Sequence, residues 1–342
     1  MDIKKILVVK GMGIGDVILG IPLLRNLRKA FPKAHICVLN QQGPGRQMLQ
    51  KCRYIDELIG AEALTGSVLE RAKFVNRLRK MNFDVIIDSF PTTDKTALLC
   101  KLIGAKKIIG FANNKYSKLY DVRIPFDRKK NIVDIEEDVL RHLGYEGKYD
   151  KRLELFIKPK KYILKEHGEY EGKKIKNYIC ISAGKDVDTV RSWPNDRWAR
   201  LADTLIEQRK TNIIFIGAGT DVNRVKFIQK MMQHTDKSIN LVDKISFEQT
   251  LFLLKNSKML ICVNGGALHM TAALDVKSVS LDGSSGYFCD AYSKKSVSIR
   301  ASGLDCMPCE SFFCKLPKKD KVMCMRLITE KNVIDAVSKT LK

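Results

Sequence analysis

The alternation of short apolar segments with longer helical ones is the feature that most constrains the fold of this chain. Lys5–Lys10 (KILVVK) predicts a buried strand, residues 11–15 form a glycine-rich turn, and Asp16–Ala30 has the periodicity of a helix. Further strands are predicted at Ala34–Leu39, Phe83–Asp88 and Lys107–Gly110. Strands that alternate with helices indicate parallel βαβ units with helices on both faces of the sheet.

The same alternation restarts in the second half, although no sequence repeat relates the two halves. Strands are predicted at Asn177–Ala183, Asn212–Gly217, Met259–Val263 and Ser278–Leu281. Helices are predicted at Trp198–Arg209, Val222–Met232, Phe247–Asn256, His269–Leu274 and Glu330–Lys342. We therefore expect an α/β domain over residues 1–158, a lysine-rich linker over 159–176, a second α/β domain over 177–328 and a terminal helix over 329–342. Ligands of such sheets bind at the carboxyl ends of the strands, and here also in the cleft between the domains.

The charge of the chain is strongly unbalanced. With 61 Lys+Arg against 38 Asp+Glu, the formal net charge of the 342 residues is +23. Such an excess favours an anionic partner: nucleic acid, an anionic membrane surface or a phosphorylated substrate. A merely solvated, lysine-rich surface is the alternative. We find no RNA-binding motif and no alternation of aromatic and basic residues, so nucleic acid is not expected.

The N-terminal apolar stretch, Ile6 to Leu24, does not have the pattern of an export signal. Asp16 and Pro22 interrupt it, and no small-residue cleavage site follows. Nor does the sequence contain a run of about 18 uncharged apolar residues, so we expect no membrane-spanning helix. The ten cysteines are then interpreted as reduced thiols of a cytoplasmic protein.

The first glycine turn is a candidate site. Its spacing is G-x-G-x-G from Gly11 through Gly13 to Gly15, and no acidic residue ends the next strand, so the dinucleotide fingerprint is not met and NAD binding is disfavoured. Asp16 follows at the start of the predicted helix. A carboxylate there either caps the helix or acts on a substrate beside the strand end.

Two further candidates follow strands of the second half. After the strand at Asn177–Ala183, Ser182, Gly184 and Lys185 lie in a loop, and Arg191 precedes a Trp-Pro pair. A guanidinium held there could clamp a diphosphate, although an exposed arginine would have the same sequence.

The strand at Met259–Val263 is followed by Asn264, Gly265 and Gly266, and then by His269. Backbone N–H groups at the start of the following helix suit a phosphate. An ordinary glycine turn and a packed core histidine are the alternatives.

The fourth candidate is a run of cysteines near the C-terminus: Cys306, Cys309, Cys314 and Cys324. Four thiols within twenty residues could hold zinc, but their spacing is not that of a standard finger or ribbon. We therefore predict no metal here and keep zinc as the lesser alternative to a loop of reduced cysteines.

The ordered set of these segments resembles the heptosyltransferases of glycosyltransferase family 9. The N-terminal ILVVKGMGIGDVILGIPLLRNLRKAFP is similar to the family's strand, glycine turn, Gly-Asp and Pro-containing helix. SAGKDVDTVRSWPNDRWARLAD resembles its basic-x-Trp-Pro segment, and LLKNSKMLICVNGGALHMTAALD its Asp-small-Gly-x-x-His element. The cysteine-rich tail ending CMRLITEKNVIDAV is also similar. The resemblance implies the GT-B fold, in which two Rossmann-like domains face each other across a cleft.

The resemblance also implies roles for particular residues. Asp16 matches the family's proposed general base, with Gly13 and Gly15 beside it on the acceptor side. Arg191 matches the basic residue that holds the donor diphosphate. The remaining donor-binding candidates are Ser182, Gly184, Lys185, Asp221, Asn264, Gly265, Gly266 and His269, of which Asp221 matches only loosely an acidic residue for the donor ribose.

The sequence departs from the family pattern at two places. Asn264 stands where the family usually has aspartate, and Leu281-Asp282-Gly283-Ser284 replaces an apolar-Phe-Gly-Pro stretch. An amide still forms hydrogen bonds with hydroxyls or phosphate but is neither a base nor an anion. Both departures lie in the donor half, so they bear on the identity of the donor sugar.

The resemblance implies an inverting glycosyltransferase that needs no cofactor and no divalent metal. The donor would be ADP-heptose or another nucleotide-diphosphate sugar, and the acceptor the anionic lipopolysaccharide inner core. The enzyme would work at the cytoplasmic face of the inner membrane of a Gram-negative bacterium, with peripheral membrane contact. A non-catalytic binder of anionic surfaces or nucleic acid on a degenerate transferase fold is the alternative that the charge and Asn264 leave open.

Overall fold

The chain divides into two compact units in a computed structural model. The first unit is Met1–Phe156 and the second is Ile157–Lys342. The structure describes residues 2–342 except 12, 41–42, 44, 90–94, 114, 162–176, 185–189, 220, 310, 312 and 318–320. Most of the predicted linker, residues 162–176, therefore lies outside the described residues.

The first unit is built on one six-stranded sheet in which every pairing is parallel. Its strands are β1 (Lys5–Lys10), β2 (His35–Asn40), β3 (Glu57–Gly60), β4 (Phe83–Ser89), β5 (Ala105–Phe111) and β6 (Val122–Ile124). Across the sheet they lie in the order β3-β2-β1-β4-β5-β6. This order is that of a doubly wound Rossmann-like sheet.

The helices of the first unit connect these strands. Among the described residues they are α1 (Ile14–Ala30), α2 (Arg46–Gln50), α3 (Val68–Arg79), α4 (Lys95–Ile103) and α5 (Ile132–His142). The central strands carry continuous apolar runs because helices cover both faces of a parallel sheet. All seven residues of β4 are buried, for example.

The second unit repeats this design. Its strands are β7 (Tyr178–Ser182), β8 (Asn212–Phe215), β9 (Ser238–Asn240), β10 (Leu260–Val263), β11 (Ser278–Leu281) and β12 (Ser296–Ile299). They form a second all-parallel six-stranded sheet in the order β12-β11-β10-β7-β8-β9. If the strands of each unit are numbered from one to six along the chain, both sheets have the order 3-2-1-4-5-6.

The helices of the second unit flank its sheet. The structure describes α6 (Asn195–Arg209), α7 (Asp221–Met231), α8 (Phe247–Asn256), α9 (Gly266–Ala273), α10 (Met323–Arg326) and α11 (Glu330–Leu341). A core of aliphatic side chains around the fully buried Trp193 and Trp198 fills the space between sheet and helices.

The predicted fold class is confirmed: two Rossmann-like α/β units with parallel sheets, the composition of GT-B enzymes. Two helices begin three residues earlier than predicted. The one predicted from Trp198 begins at Asn195, directly after Pro194, and the one predicted from His269 begins at Gly266. Among the described residues, no helix combines the length and the apolar character needed to cross a membrane.

The topology of each unit defines one place for a ligand. In each sheet the strand order reverses beside the first strand, between β1 and β4 and between β7 and β10. Loops that leave the carboxyl ends of such neighbours run to opposite faces and open a crevice between them. The loop after β1 leads to Asp16 in the first turn of α1, and the loops after β7 and β10 contain Arg191 and Asn264, so the candidates from the sequence lie at these reversals.

Candidate active site

Asp16 lies in the first turn of α1, close behind the end of β1. It is the third helical residue and is exposed, and its Oδ2 accepts a hydrogen bond from the Gly13 N–H at 3.1 Å. A Cβ at Gly13 would lie 2.9 Å from that oxygen, so glycine leaves room for the carboxylate. Gly15 is half-buried in the same turn. The carboxylate thus caps the helix and is also accessible to a substrate.

A buried ion pair lies at the same end of β1, and the sequence analysis missed it. Lys10 Nζ is 2.7 Å from Glu136 Oε1 on α5 and 2.7 Å from Ser89 Oγ at the end of β4. Ser89 also donates to Glu136. A Cβ at Gly20 would lie 2.0 Å from Lys10 Cε, so this glycine in α1 makes room for the lysine. The sequence signal that could have indicated this ion pair is Lys10 itself, a charged residue at the end of the buried apolar strand β1.

In the second unit, the segment that carries Arg191 is anchored by aromatic side chains. Trp193 and Trp198 are fully buried and meet edge to face, with ring centroids 4.8 Å apart. Trp193 Nε1 donates to the Ile328 carbonyl oxygen at 2.8 Å. Pro194 precedes α6 as its N-cap residue. These contacts fix the direction in which the chain enters α6.

Arg224 of α7 ties this segment to the end of β7. The side chain is buried, and its Nη1 donates to the carbonyl oxygens of Ala183 at 2.8 Å and Gly184 at 3.1 Å. Its other nitrogens donate to the Trp193 carbonyl and to Asn195 Oδ1. One guanidinium therefore satisfies acceptors on both sides of the Arg191 segment, a role that the sequence analysis did not predict because α7 has no motif.

Gly184 is one of the few positions that require glycine. Its φ is +76°, in the left-handed region, and an added Cβ would lie 2.5 Å from Val263 Cγ2. The loop after β7 thereby passes close to the end of β10. Ser182, half-buried, ends β7 and pairs in register with Cys262 of β10. Lys185 lies outside the described residues.

The loop after β10 leads directly into α9. Asn264 is 4% exposed, and its Nδ2 donates to the Cys289 carbonyl oxygen at 3.2 Å. Gly265 is the N-cap residue with an extended backbone, and a Cβ there would make only an ordinary contact, 3.9 Å from the Val263 carbonyl oxygen. The first amides of α9, at Gly266 and Ala267, precede the first N–H that can bond within the helix. They form the type of helix start that binds phosphate.

Arg191 lies close enough to His269, near the start of α9, to influence its charge. His269 is 3% exposed, and burial together with the nearby positive charge of Arg191 lowers its pKa to about 4. The imidazole is therefore neutral at physiological pH. Among the described residues, its buried Nδ1 has no hydrogen-bond partner. The charge of Arg191 also influences the thiol of Cys289, whose carbonyl oxygen accepts the hydrogen bond from Asn264. The predicted donor residues Arg191, Asn264 and His269 therefore lie in one region of the second unit.

The unusual stretch after β11 forms a second charged cluster near these residues. Asp282 is fully buried and accepts a hydrogen bond from Ser280 at 2.9 Å. Arg300 lies 3.5 Å from Asp282, pairs closely with Asp290 and stacks over the Tyr287 ring at 4.4 Å. Burial raises the pKa of Asp290, although the hydrogen bond from Arg300 opposes this. A carboxylate, which needs a counter-ion, thus replaces the apolar stretch usual in the family.

The loosely matched Asp221 begins α7. Its Oδ2 accepts from the Ala218 N–H at 3.3 Å, and a Cβ at Gly217 would lie 2.6 Å from it. The carboxylate therefore shapes the loop that follows β8. A role in binding the donor ribose stays a prediction.

The four cysteines of the tail are near one another without forming a cage. Cys306 and Cys309 are exposed, and Cys324 is buried. Burial first, and then the neighbouring thiols, raise the pKa of Cys324 to about 11. Among the residues that the structure describes, the one group of three metal-ligating side chains whose ligand atoms lie within 4.8 Å of one another is His35, Cys37 and Glu57. The tail thiols do not form such a group among these residues, and the absence of a metal there stays a prediction.

The fold and the two loop sites define the class of protein. A family model described as glycosyltransferase family 9 (heptosyltransferase) matches residues 71–320. The match covers well over half of the chain and includes every predicted donor-binding residue. The chain therefore belongs to glycosyltransferase family 9, and it is a glycosyltransferase.

Individual relatives agree with this assignment. Lipopolysaccharide heptosyltransferase 2 of Escherichia coli K12 is 25% identical over 297 residues, covering 82% of this chain and 83% of the relative. A family 9 glycosyltransferase structure from Veillonella parvula covers 100% of this chain and 98% of its own, with 23% identity and a TM-score of 0.76. The E. coli heptosyltransferase WaaC with ADP-2-deoxy-2-fluoro heptose has a TM-score of 0.68 at 19% identity, covering 98% of this chain and 99% of its own.

Proposed function

We propose that the chain transfers heptose from ADP-heptose to the inner core of lipopolysaccharide, with inversion at the anomeric carbon. The observation that carries this proposal is the convergence of Arg191, His269 and the start of α9 at the strand-order reversal of the second unit. This place offers a cation and helix-start amides to a diphosphate. The similarity to lipopolysaccharide heptosyltransferase 2 of E. coli K12 and to the WaaC structure with an ADP-sugar supports heptose, lipopolysaccharide and ADP.

The second unit holds the donor in this proposal. The amides of Gly266 and Ala267 and the guanidinium of Arg191 bind the diphosphate, on which negative charge grows as the glycosidic bond breaks. Neutral His269 keeps one ring N–H for donation to the donor and places no second buried positive charge beside Arg191. Protein cations and amides thus stabilise the leaving group, so the reaction as proposed needs no divalent ion.

The first unit supplies the base. Asp16 is exposed at the end of β1, and it removes the proton of the acceptor hydroxyl as that oxygen attacks the anomeric carbon. Direct attack opposite the leaving diphosphate inverts the configuration, through a transition state with oxocarbenium character by analogy with glycoside hydrolysis. The Gly13 N–H holds one carboxylate oxygen and leaves the other for the acceptor.

The net charge supports the proposed setting at the cytoplasmic face of the inner membrane. Lipopolysaccharide core phosphates and the anionic leaflet both attract a chain with a formal net charge of +23. Peripheral contact of this kind weakens as salt screens it. Sedimentation with anionic vesicles should therefore fall steeply between low and high salt, and salt-independent binding or none would contradict the proposal.

A different nucleotide sugar is the alternative donor, and Asn264 is the observation that favours it. This amide already donates to the Cys289 carbonyl, and the charged Asp282–Arg300 cluster lies in the stretch that departs from the family pattern stated above. A pocket changed at two places can accept another sugar on the same diphosphate.

The deciding experiment is a mass-spectrometric assay of the full chain with a panel of nucleotide sugars and a heptose-deficient core acceptor. We expect transfer from ADP-heptose and an anomeric configuration, assigned by NMR, opposite to that of the donor. Turnover of another nucleotide sugar without turnover of ADP-heptose would establish the alternative. Absence of turnover and of ADP binding would contradict both.

A further inference from the structure

A cavity in the first unit lies away from the proposed site and has the chemistry of an anion site. It has a volume of about 530 Å³ and lies beside the C-terminal end of α1, between the loop that carries Tyr54 and the segment from Asp150 to Glu154. Pockets of this volume accommodate small ligands. With a rise of about 1.5 Å per residue, Lys29 lies about 20 Å along α1 from Asp16. The cavity is therefore at the opposite end of the helix from the proposed base.

Its lining carries an excess of positive charge. Five cations, Arg25, Arg28, Lys29, Arg53 and Arg152, face two carboxylates, Asp150 and Glu154. The hydrogen bond from Arg152 is the main cause that lowers the pKa of Asp150 well below its usual range, so this carboxylate is ionised. Asp56 does not line the cavity but pairs with Arg28. If this carboxylate is counted too, the five cations still exceed the three carboxylates by two charges.

One of these cations belongs to the framework. Arg25 is 5% exposed, and its guanidinium donates to Tyr54 Oη at 3.1 Å, to the Arg152 carbonyl at 2.6 Å and to Glu154 at 2.8 Å. Its guanidinium carbon also lies 5.4 Å from the Tyr54 ring centroid. These contacts tie the Asp150–Glu154 segment to α1 and build the floor of the cavity.

The cations at the rim keep capacity for a ligand. Lys29 is 47% exposed, and its ion pair with Asp150 is long, at 3.4 Å. Arg53 is 68% exposed and places one terminal nitrogen on both Glu154 and Tyr54, while its guanidinium lies over the Tyr54 ring. Arg152 is 82% exposed. Exposed pairs of this kind contribute little to stability, so a stronger anion can recruit their cations.

We propose that this basic cavity binds a phosphate group, with Lys29, Arg53 and Arg152 as its ligands and Arg25 as its fixed floor. Guanidinium and ammonium groups converging on one space are the usual means by which proteins hold phosphate. The phosphate belongs either to a soluble phosphorylated molecule or to a lipid headgroup. This site goes beyond the proposed transfer reaction, because it neither contacts the reacting groups nor depends on the identity of the donor.

The test compares two double variants of the full chain that lose the same charge. Lys29→Gln/Arg53→Gln removes two rim cations, whereas Lys73→Gln/Arg123→Gln removes an exposed lysine and an exposed arginine elsewhere in the same unit. Calorimetry with inorganic pyrophosphate measures the soluble ligand. Co-sedimentation with phosphatidylcholine vesicles containing phosphatidylglycerol measures the headgroup. Any pyrophosphate bound at the donor site contributes equally to all three proteins.

We expect the cavity variant, and not the control, to lose about tenfold or more in affinity for at least one probe. A lower affinity of the cavity variant for pyrophosphate would identify a soluble phosphorylated ligand. A lower affinity for the vesicles alone would identify a lipid headgroup. Equal behaviour of the two variants, or no binding of either probe by the unmodified chain, would overturn the proposal. Circular dichroism and urea unfolding of both variants establish that any loss is not due to unfolding.

Discussion

The two units share one strand order but differ in what they place at the strand-order reversal. In the first unit an exposed carboxylate, Asp16, follows the first strand, and the neighbouring charges Lys10 and Glu136 are buried against each other. In the second unit the same place holds Arg191, neutral His269 and the amides of a helix start. Topology therefore gives both units the same place for a ligand, while a few side chains make the two places differ in charge, and our proposal assigns the base to the first and the diphosphate to the second.

The largest effect should come from Asp16→Asn, which separates the two roles of this carboxylate. The amide oxygen can still accept the Gly13 hydrogen bond, so stability should change by less than about 1 kcal/mol. Loss of the base should lower turnover about 10²- to 10⁴-fold without changing ADP affinity. Asp138→Asn, an exposed carboxylate on α5, is the control. Near-normal turnover of Asp16→Asn would leave this residue as a helix cap only.

Arg224→Met should have the next largest effect, and it acts in the second unit alone. The variant leaves the carbonyls of Ala183, Gly184 and Trp193 without their donor, which should cost about 2–4 kcal/mol in the free energy of unfolding. ADP affinity should fall too, because the Arg191 segment is no longer held. Urea unfolding and calorimetry measure the two effects, with Lys226→Met on the same helix as control. If only stability falls, Arg224 does not position the donor site.

Arg191→Gln should weaken ADP binding about tenfold or more, since a charged hydrogen bond to the diphosphate is lost. The matched control, Arg326→Gln, removes an exposed arginine of the same unit. Calorimetry at several salt concentrations should also show a shallower salt dependence for Arg191→Gln. Unchanged ADP affinity would show that Arg191 does not bind the diphosphate, and the second unit would then differ less from the first than we propose.

The smallest effect concerns pH and tests the buried neutral histidine. Because the pKa of His269 is about 4 in the folded chain and 6.5 is the ordinary value, the unfolded chain binds the extra proton first. Stability from this residue is therefore present at neutral pH and is lost as pH falls through the window from 6.5 to 4.

Between pH 6.5 and 5.5 the expected loss from His269 is about 1 kcal/mol. Urea unfolding of the unmodified chain and of His269→Gln over this range measures it as the difference between two slopes. A slope that His269→Gln leaves unchanged would show that the histidine is not held neutral by its surroundings.

The parts of the fold that the sequence predicted are the buried ones. Strands β1, β4, β7 and β10 at the centres of the sheets are buried and mostly apolar, and they were recognised within one or two residues. The strands that were missed are the four at the sheet edges: β3, β6, β9 and β12. Edge strands are short and partly exposed, so their residues alternate irregularly and give no clear apolar run.

The candidate site was predicted as far as motifs reached. Glycine turns and the Trp-Pro pair indicated the loops of Asp16, Arg191 and Asn264, because tight turns need particular residue types. Arg224 was missed, although it holds the Arg191 segment, because a buried arginine in an ordinary helix has no local signature. Glu136 was missed for the same reason: its partner, Lys10, is 126 residues away in the chain.

The sequence by itself determined the α/β class, the division into two halves and the positions of the loops, since these follow from local periodicity and turn chemistry. The tertiary structure alone decided that the two halves share one strand order, that His269 lies beside Arg191, and that distant cations form a cavity beside Tyr54. Burial and charge pairing depend on residues far apart in the chain, which no local pattern records.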